Sequence, residues 1–156
     1  MAPVTFTVKT GDQVLPQINR PLQFDDGDQI QDIKDTIDTL NGILSSDQKL
    51  CYNGTLLVNT DLIRDYSITN GSEVTLVHRD SILIRVVDPD PQKPVVKLWM
   101  QPTDSVQILK NRVYAANANN YNAEFGSTEL DNGRSLQSYN ITHGATVNMI
   151  DRVGGG

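Results

Sequence analysis

Ile63-Arg-Asp-Tyr66-Ser67-Ile68-Thr69-Asn70-Gly71 returns further along the chain as Leu136-Gln-Ser-Tyr139-Asn140-Ile141-Thr142-His143-Gly144. The shared pattern is an apolar residue, then Tyr, any residue, Ile-Thr, any residue and Gly. Self-similarity of this kind marks a duplicated structural unit. Each copy runs into a short alternating segment, Glu73-Val-Thr-Leu-Val77 and Thr146-Val-Asn-Met-Ile150, which reads as a half-buried strand.

Working outward, each copy is preceded by one amphipathic helix. Ile30, Ile33, Ile37 and Leu40 form an apolar stripe in the first half, and Val106, Leu109, Val113 and Ala116 form one in the second. Asp28 with Gln31, and Asp104-Ser105 with Gln107, supply capping chemistry for the unsatisfied amides of the first turns. Ahead of each helix lies a candidate hairpin. In the first half it pairs Phe6-Thr-Val8-Lys with Val14-Leu15-Pro-Gln-Ile18, with Pro16 and Pro21 making the second strand ragged. In the second half it pairs Ile82–Val87 with Val95–Met100 across the turn-forming stretch Asp-Pro-Asp-Pro-Gln-Lys-Pro. Each half therefore reads as two strands, a helix, a strand, a short strand and a last strand, an α+β unit with one helix across a mixed sheet. The expected domains are 1–79 and 80–156, joined at His78-Arg79-Asp80-Ser81 without a Gly/Pro/Ser-rich spacer. Between its helix and Leu130 the second copy is about three residues shorter than the first, by repeat spacing.

Composition narrows the function classes. The 156 residues are 38% hydrophobic and 21% charged, with a net charge of −6. Residues 1–80 carry 12 acids and 6 bases, while the remainder carries 7 of each. That balance, with no basic cluster, argues against nucleic acid as a partner. No apolar run has the length of a membrane helix, and no leader pattern opens the chain, so the expected location is the cytoplasm and no membrane partner is expected. The lone Cys51 reads as a small inert apolar residue. His78 and His143 lack neighbouring ligands at metal spacing, and Asp25-Asp26-Gly27-Asp28 lacks the distal bidentate Glu of a calcium loop. No phosphate loop and no nucleophile–base set appears, so neither a metal nor a cofactor is expected, nor an enzyme.

Several stretches resemble the ubiquitin family. Gln101-Pro-Thr-Asp-Ser-Val-Gln-Ile-Leu-Lys110 is similar to the family's approach to its single helix. Leu130-Asp-Asn-Gly-Arg-Ser-Leu136-Gln-Ser-Tyr139-Asn-Ile141 is similar to its loop ahead of the last strand, with the buried-tyrosine turn. In the first half the match runs from Ile30 through Gly42-Ile43, Asp47-Gln48-Lys49-Leu50 and Gly54 to Arg79. The resemblance implies two tandem ubiquitin-like β-grasp domains. Two fused copies with one glycine tail resemble the two-domain interferon-stimulated ubiquitin-like modifiers and their bacterial antiphage counterparts, which implies a place in antiviral defence.

The tail Asp151-Arg152-Val153-Gly154-Gly155-Gly156 follows only the second copy. Glycine suits a terminus that must thread narrow active sites, since it lacks a Cβ. Family resemblance makes Gly156 the residue joined by an isopeptide bond to target lysines, with Gly155, Gly154 and Val153 as the extended tail. It also makes Arg152 a contact for the activating enzyme. The implied partners are activating (E1) and conjugating (E2) enzymes, a deconjugating protease and target proteins, with the modifier itself a monomer. Asp151 replaces an apolar residue usual in the family, and Gly154 a second arginine, so dedicated enzymes are implied. A sheet patch for partners would hold Cys51 and Val77 in the first domain and Ile150 in the second. Two other classes stay open beside the modifier: a non-covalent binding module, and a sulfur carrier ending in a thiocarboxylate, against which the duplication speaks.

Overall fold

A computed structural model describes residues 2–152. The chain forms two compact units, Met1–Arg79 and Asp80–Gly156. In the first, β1 (Pro3–Thr10), β2 (Asn19–Asp25), α1 (Ile30–Asn41), β3 (Gln48–Tyr52), β4 (Thr55–Leu56) and β5 (Glu73–His78) follow one another. The second repeats them as β6 (Ile82–Val87), β7 (Val96–Met100), α2 (Val106–Val113), β8 (Tyr121–Phe125), β9 (Thr128–Glu129) and β10 (Thr146–Asp151). The sheets have the orders β2-β1-β5-β3-β4 and β7-β6-β10-β8-β9. In each, the central pair, β1 with β5 and β6 with β10, is parallel and the other pairings are antiparallel. Two mixed sheets each carrying one helix make the molecule two tandem β-grasp domains of the ubiquitin-like type.

The repeated stretch earns its persistence by capping the helices. The first amides of a helix lack partners within it. In the first unit Ile30 N–H donates to the Asp61 carbonyl and Gln31 N–H to that of Asn59; in the second, Val106 N–H donates to Arg134 and Gln107 N–H to Asn132. The returning bonds are also duplicated, Ile63 N–H to Asp28 and Leu136 N–H to Asp104. The tyrosine holds this loop shut. Its hydroxyl accepts the Val58 amide in one unit and the Asp131 amide in the other, each at 2.8 Å. Ser67 and Asn140 follow the tyrosines, both at φ 59°, a left-handed turn that brings the chain to the last strand.

Four local expectations are corrected. The second strand of the first hairpin is Asn19–Asp25, not 14–18. Pro21 is tolerated because β2 is an edge strand and Pro21 stands opposite Thr7, whose own N–H turns away to the Ser72 carbonyl; a proline there forfeits only a solvent-facing donor. Residues 14–18 form a loop pinned by Asp12 and Thr10: Asp12 Oδ1 accepts the Val14 and Leu15 amides, and Thr10 Oγ1 donates to the Pro16 carbonyl. The N-cap of α1 is Gln29 rather than Asp28. Asp32 accepts the Gln29 amide, and the Asp28 carboxylate is occupied by the amide of Asp25. Ser105 does cap α2, accepting Ile108 N–H, while Asp104 binds the amide of Gln101.

The stripes are shorter than expected. Ile30, Ile33 and Ile37 are fully buried, each worth roughly 1.5–3 kcal/mol. Leu40, in the last turn of α1, is 47% exposed, because the core does not extend to that end of the helix. Helix α2 ends at Val113 without the left-handed Gly42 cap of α1, so Ala116 lies beyond it and is exposed. Tyr114 closes the core there instead.

Candidate functional site

The site is the point at which the last strand of the second unit hands over to the glycine tail. Strand β10 pairs with β8 up to Asp151 opposite Tyr121. The next residue, Arg152, is fastened to the single-turn helix Ala118–Asn120, which is anchored by the buried Ala118. Arg152 N–H donates to the Asn120 carbonyl at 2.8 Å, and its Nη1 to the Asn119 carbonyl at 3.3 Å. The backbone is thereby tied down as far as Arg152. Among the described residues no carboxylate pairs with the Arg152 guanidinium. Val153, Gly154, Gly155 and Gly156 lie outside the described residues.

A second cation stands close by. Lys110 on α2 is 1% exposed, and its Nζ donates to Asn132 Oδ1 at 3.0 Å. Burial, then the charge of Arg152, push the lysine amine below its ordinary value, against a smaller upward pull from Glu129. On the other side of the strand end, a cleft of about 370 Å³ is lined by Asp88, Pro89, Asp90, Lys93, Tyr121 and Asp151. Tyr114 braces two of its lining residues: it stacks on Tyr121 at 3.7 Å between centroids and donates to Asp88 Oδ2 at 2.6 Å. Burial and that bonded carboxylate raise the Tyr114 phenol. Burial also penalises the Asp88 charge, but the Tyr114 hydroxyl, the Asp90 amide and Lys93 outweigh it and hold the carboxyl below its usual range.

The expected sheet patch is not assembled as expected. Strands β3 and β5 turn Leu50, Val74 and Leu76 into the core, and Cys51 and Val77 point to the opposite face. That face was expected to leave them accessible, yet Cys51 is 5% and Val77 0% exposed. Only Ile150, at 41%, is exposed. Burial raises the Cys51 thiol, which disfavours a reactive thiolate. Sequence reasoning also missed Asn119, Asn120 and the Lys110–Asn132 and Tyr114–Asp88 pairs. The repeat held a signal for the first two, because it aligns Arg152 with Arg79, which follows β5 in the same way.

Among the described residues, no three His, Cys, Asp or Glu side chains are arranged to hold a metal, and no helix is long and apolar enough to cross a membrane. The ubiquitin family profile matches residues 6–81. A 60-residue stretch covering 38% of the chain is 33% identical to the ubiquitin-like protein NEDD8-like protein 2 of Dictyostelium discoideum and spans 75% of that protein. Domains of this kind are typically modifiers rather than catalysts. The duplicated β-grasp fold, the family match and that relative together establish that the chain belongs to the ubiquitin family of ubiquitin-like proteins.

Proposed function

We propose that the chain is a protein modifier joined through the carboxyl of Gly156 to lysine amines of target proteins. The carboxylate attacks the α-phosphorus of ATP on an activating enzyme, releasing pyrophosphate; the acyl adenylate passes to an enzyme cysteine as a thioester with loss of AMP, and the thioester is then attacked by a lysine amine. The cysteine thiol leaves as an isopeptide bond forms. The observation that carries this reading is the fastening of Arg152 to the Asn119 and Asn120 carbonyls immediately before the glycines. A nucleophilic attack on a terminal carboxyl needs that terminus presented along a defined line, and a latch at its root restricts the conformations to be searched.

Arg152 supports a second part of the proposal. Among the described residues its guanidinium has no carboxylate partner, and it stands beside Lys110, so it suits an acidic surface on the activating enzyme. Gly155, Gly154 and Val153 form the tail that crosses the active sites of the activating enzyme, the conjugating enzyme and a deconjugating protease. In this reading the protein acts as a monomer in the cytoplasm, and its two-domain build supports a role like that of the two-domain modifiers of antiviral defence. Incubation with ATP and lysate of its own source tests the reading. Reductant-sensitive thioesters and reductant-stable conjugates are expected, both lost on deletion of Gly155 and Gly156. Partners that bind equally well with and without those glycines, and no adducts, would replace it with a non-covalent binding module.

A further inference from the structure

The duplication supplies its own control for a surface that the tail chemistry does not use. On the side of each hairpin turned away from the core, the first unit pairs Thr5 with Gln23 and Thr7 with Pro21. The second unit pairs Leu83 with Trp99 and Arg85 with Lys97 at the corresponding places. The equivalence is fixed by hydrogen bonds: Thr5 N–H donates to Asn70 Oδ1 as Leu83 N–H donates to His143 Nδ1. The parallel pairing agrees, with Thr7 beside Glu73 and Arg85 beside Thr146. A neutral polar surface in one copy is thus an aromatic and cationic one in the other.

That surface is costly for folding alone. Like charges directly opposite on neighbouring strands destabilise a sheet. Arg85 and Lys97 are both exposed, and no carboxylate pairs with either among the described residues. Trp99 is half-buried, with its ring 5.7 Å from that of His143 and its carbonyl held by Arg112 Nη1 at 2.6 Å, so the indole sits on a fixed support among cations. An apolar centre beside two cations that no carboxylate pairs among the described residues matches a partner of opposite character.

We propose that the Leu83/Trp99/Arg85/Lys97 face docks an extended acidic peptide segment of a partner protein. One apolar side chain of the segment packs on Leu83 and Trp99, and flanking carboxylates pair with Arg85 and Lys97. The apolar Leu83–Trp99 pair beside only two cations, Arg85 and Lys97, selects this occupant over nucleic acid, because a phosphate backbone needs a longer row of basic contacts and offers no aliphatic side chain to the centre.

Trp99 is the single tryptophan of the chain, so its fluorescence reports this face and nothing else. The full chain is titrated with a decapeptide of glutamates around one central leucine, with the lysine-for-glutamate version, and with a single-stranded thymidine decamer. A saturable change with the acidic peptide alone is expected, weakening several-fold from 50 to 300 mM salt. Arg85→Thr with Lys97→Gln should weaken it at least tenfold while far-UV circular dichroism is unchanged, and Arg85→Lys should retain it. No saturable change, a response to the lysine peptide or the DNA as strong as to the acidic one, or indifference to the double substitution would overturn the proposal. So would concentration-dependent self-association of the protein that the same double substitution abolishes, because the face would then belong to a second copy.

Discussion

Arg79 and Arg152 occupy the same place in the two units, one residue beyond the last strand, and each is fastened to the single-turn helix ahead of the third strand. Arg79 N–H donates to the Asp47 carbonyl at 2.9 Å as Arg152 N–H does to that of Asn120 at 2.8 Å. The side chains then diverge. Arg79 closes an ion pair with Asp47 Oδ1 at 3.2 Å, whereas the Arg152 guanidinium reaches the backbone carbonyl of Asn119. The first latch is self-sufficient and leads into the next strand. The second keeps its backbone anchor, finds no counter-ion among the described residues, and is followed in sequence by Val153 and glycines. Duplication preserved what sets the direction of the chain and changed what an outside partner would touch.

The largest expected effect breaks the comparison outright. Deleting Gly155 and Gly156 should abolish conjugation completely and leave the melting temperature unchanged, since the two buried cores are built from residues between Val4 and Met149; a matched loss of stability would mean the tail is structural. Next come the equivalent core anchors. Ile63→Ala and Leu136→Ala each remove a fully buried side chain and should cost about 2–5 kcal/mol. Hydrogen exchange should show the loss in the mutated unit, and an equal loss of protection in both would contradict separate cores.

Tyr114→Phe sharpens the contrast at the second tail root, where Tyr114 donates to the Asp88 carboxylate. It should cost about 1.5–3 kcal/mol at pH 7, read from denaturant midpoints, as expected for a hydrogen bond to a charged group. The sign follows from both partners. The Asp88 value is lowered on folding, so its contribution is present above the ordinary carboxyl range near about 4 and is lost as pH falls through the lowered value. The Tyr114 value is raised, so its contribution is present below about 10 and is lost as pH climbs beyond. The difference between wild type and Tyr114→Phe should therefore shrink at both extremes. A difference constant with pH would show that the pair carries none of it.

The smallest effect separates the latches. Arg152→Ala should lower kcat/KM for activation about tenfold, the size of one charge-assisted contact of about 1.4 kcal/mol. Arg79→Ala should leave activation unchanged and cost at most about 1 kcal/mol of stability, as its pair with Asp47 is largely exposed. Equal kinetic effects of the two would remove the distinction drawn between them.

How much of this was legible depended on whether a residue's role was local or set by the whole sheet. The Tyr66 and Tyr139 turns, the helix positions and the strand order came from spacing, because local geometry and burial demand the same residues there. Pro21 misled, since its tolerance depends on which strand lies at the sheet edge. Asp28 misled because two carboxylates compete for neighbouring amides, and Asp32 takes the cap. Leu40 lies in the last turn of α1, where the core no longer covers it, and α2 ends before Ala116. Cys51 and Val77 were placed on the right face of the sheet, but a face says nothing of exposure. For Arg152 the residue was legible and its carbonyl partners were not, since backbone acceptors leave no mark in a sequence.

The most direct measurement is tryptic mass spectrometry of proteins from the native source after incubation with ATP and this chain. Trypsin cuts after Arg152, so conjugation through Gly156 should leave Val153-Gly154-Gly155-Gly156 as a branched remnant on target lysines, absent when the last two glycines are deleted. Recovery of the remnant only with ATP and the intact tail is the predicted result. Its absence while the source's activating enzyme is charging normally would contradict the central claim.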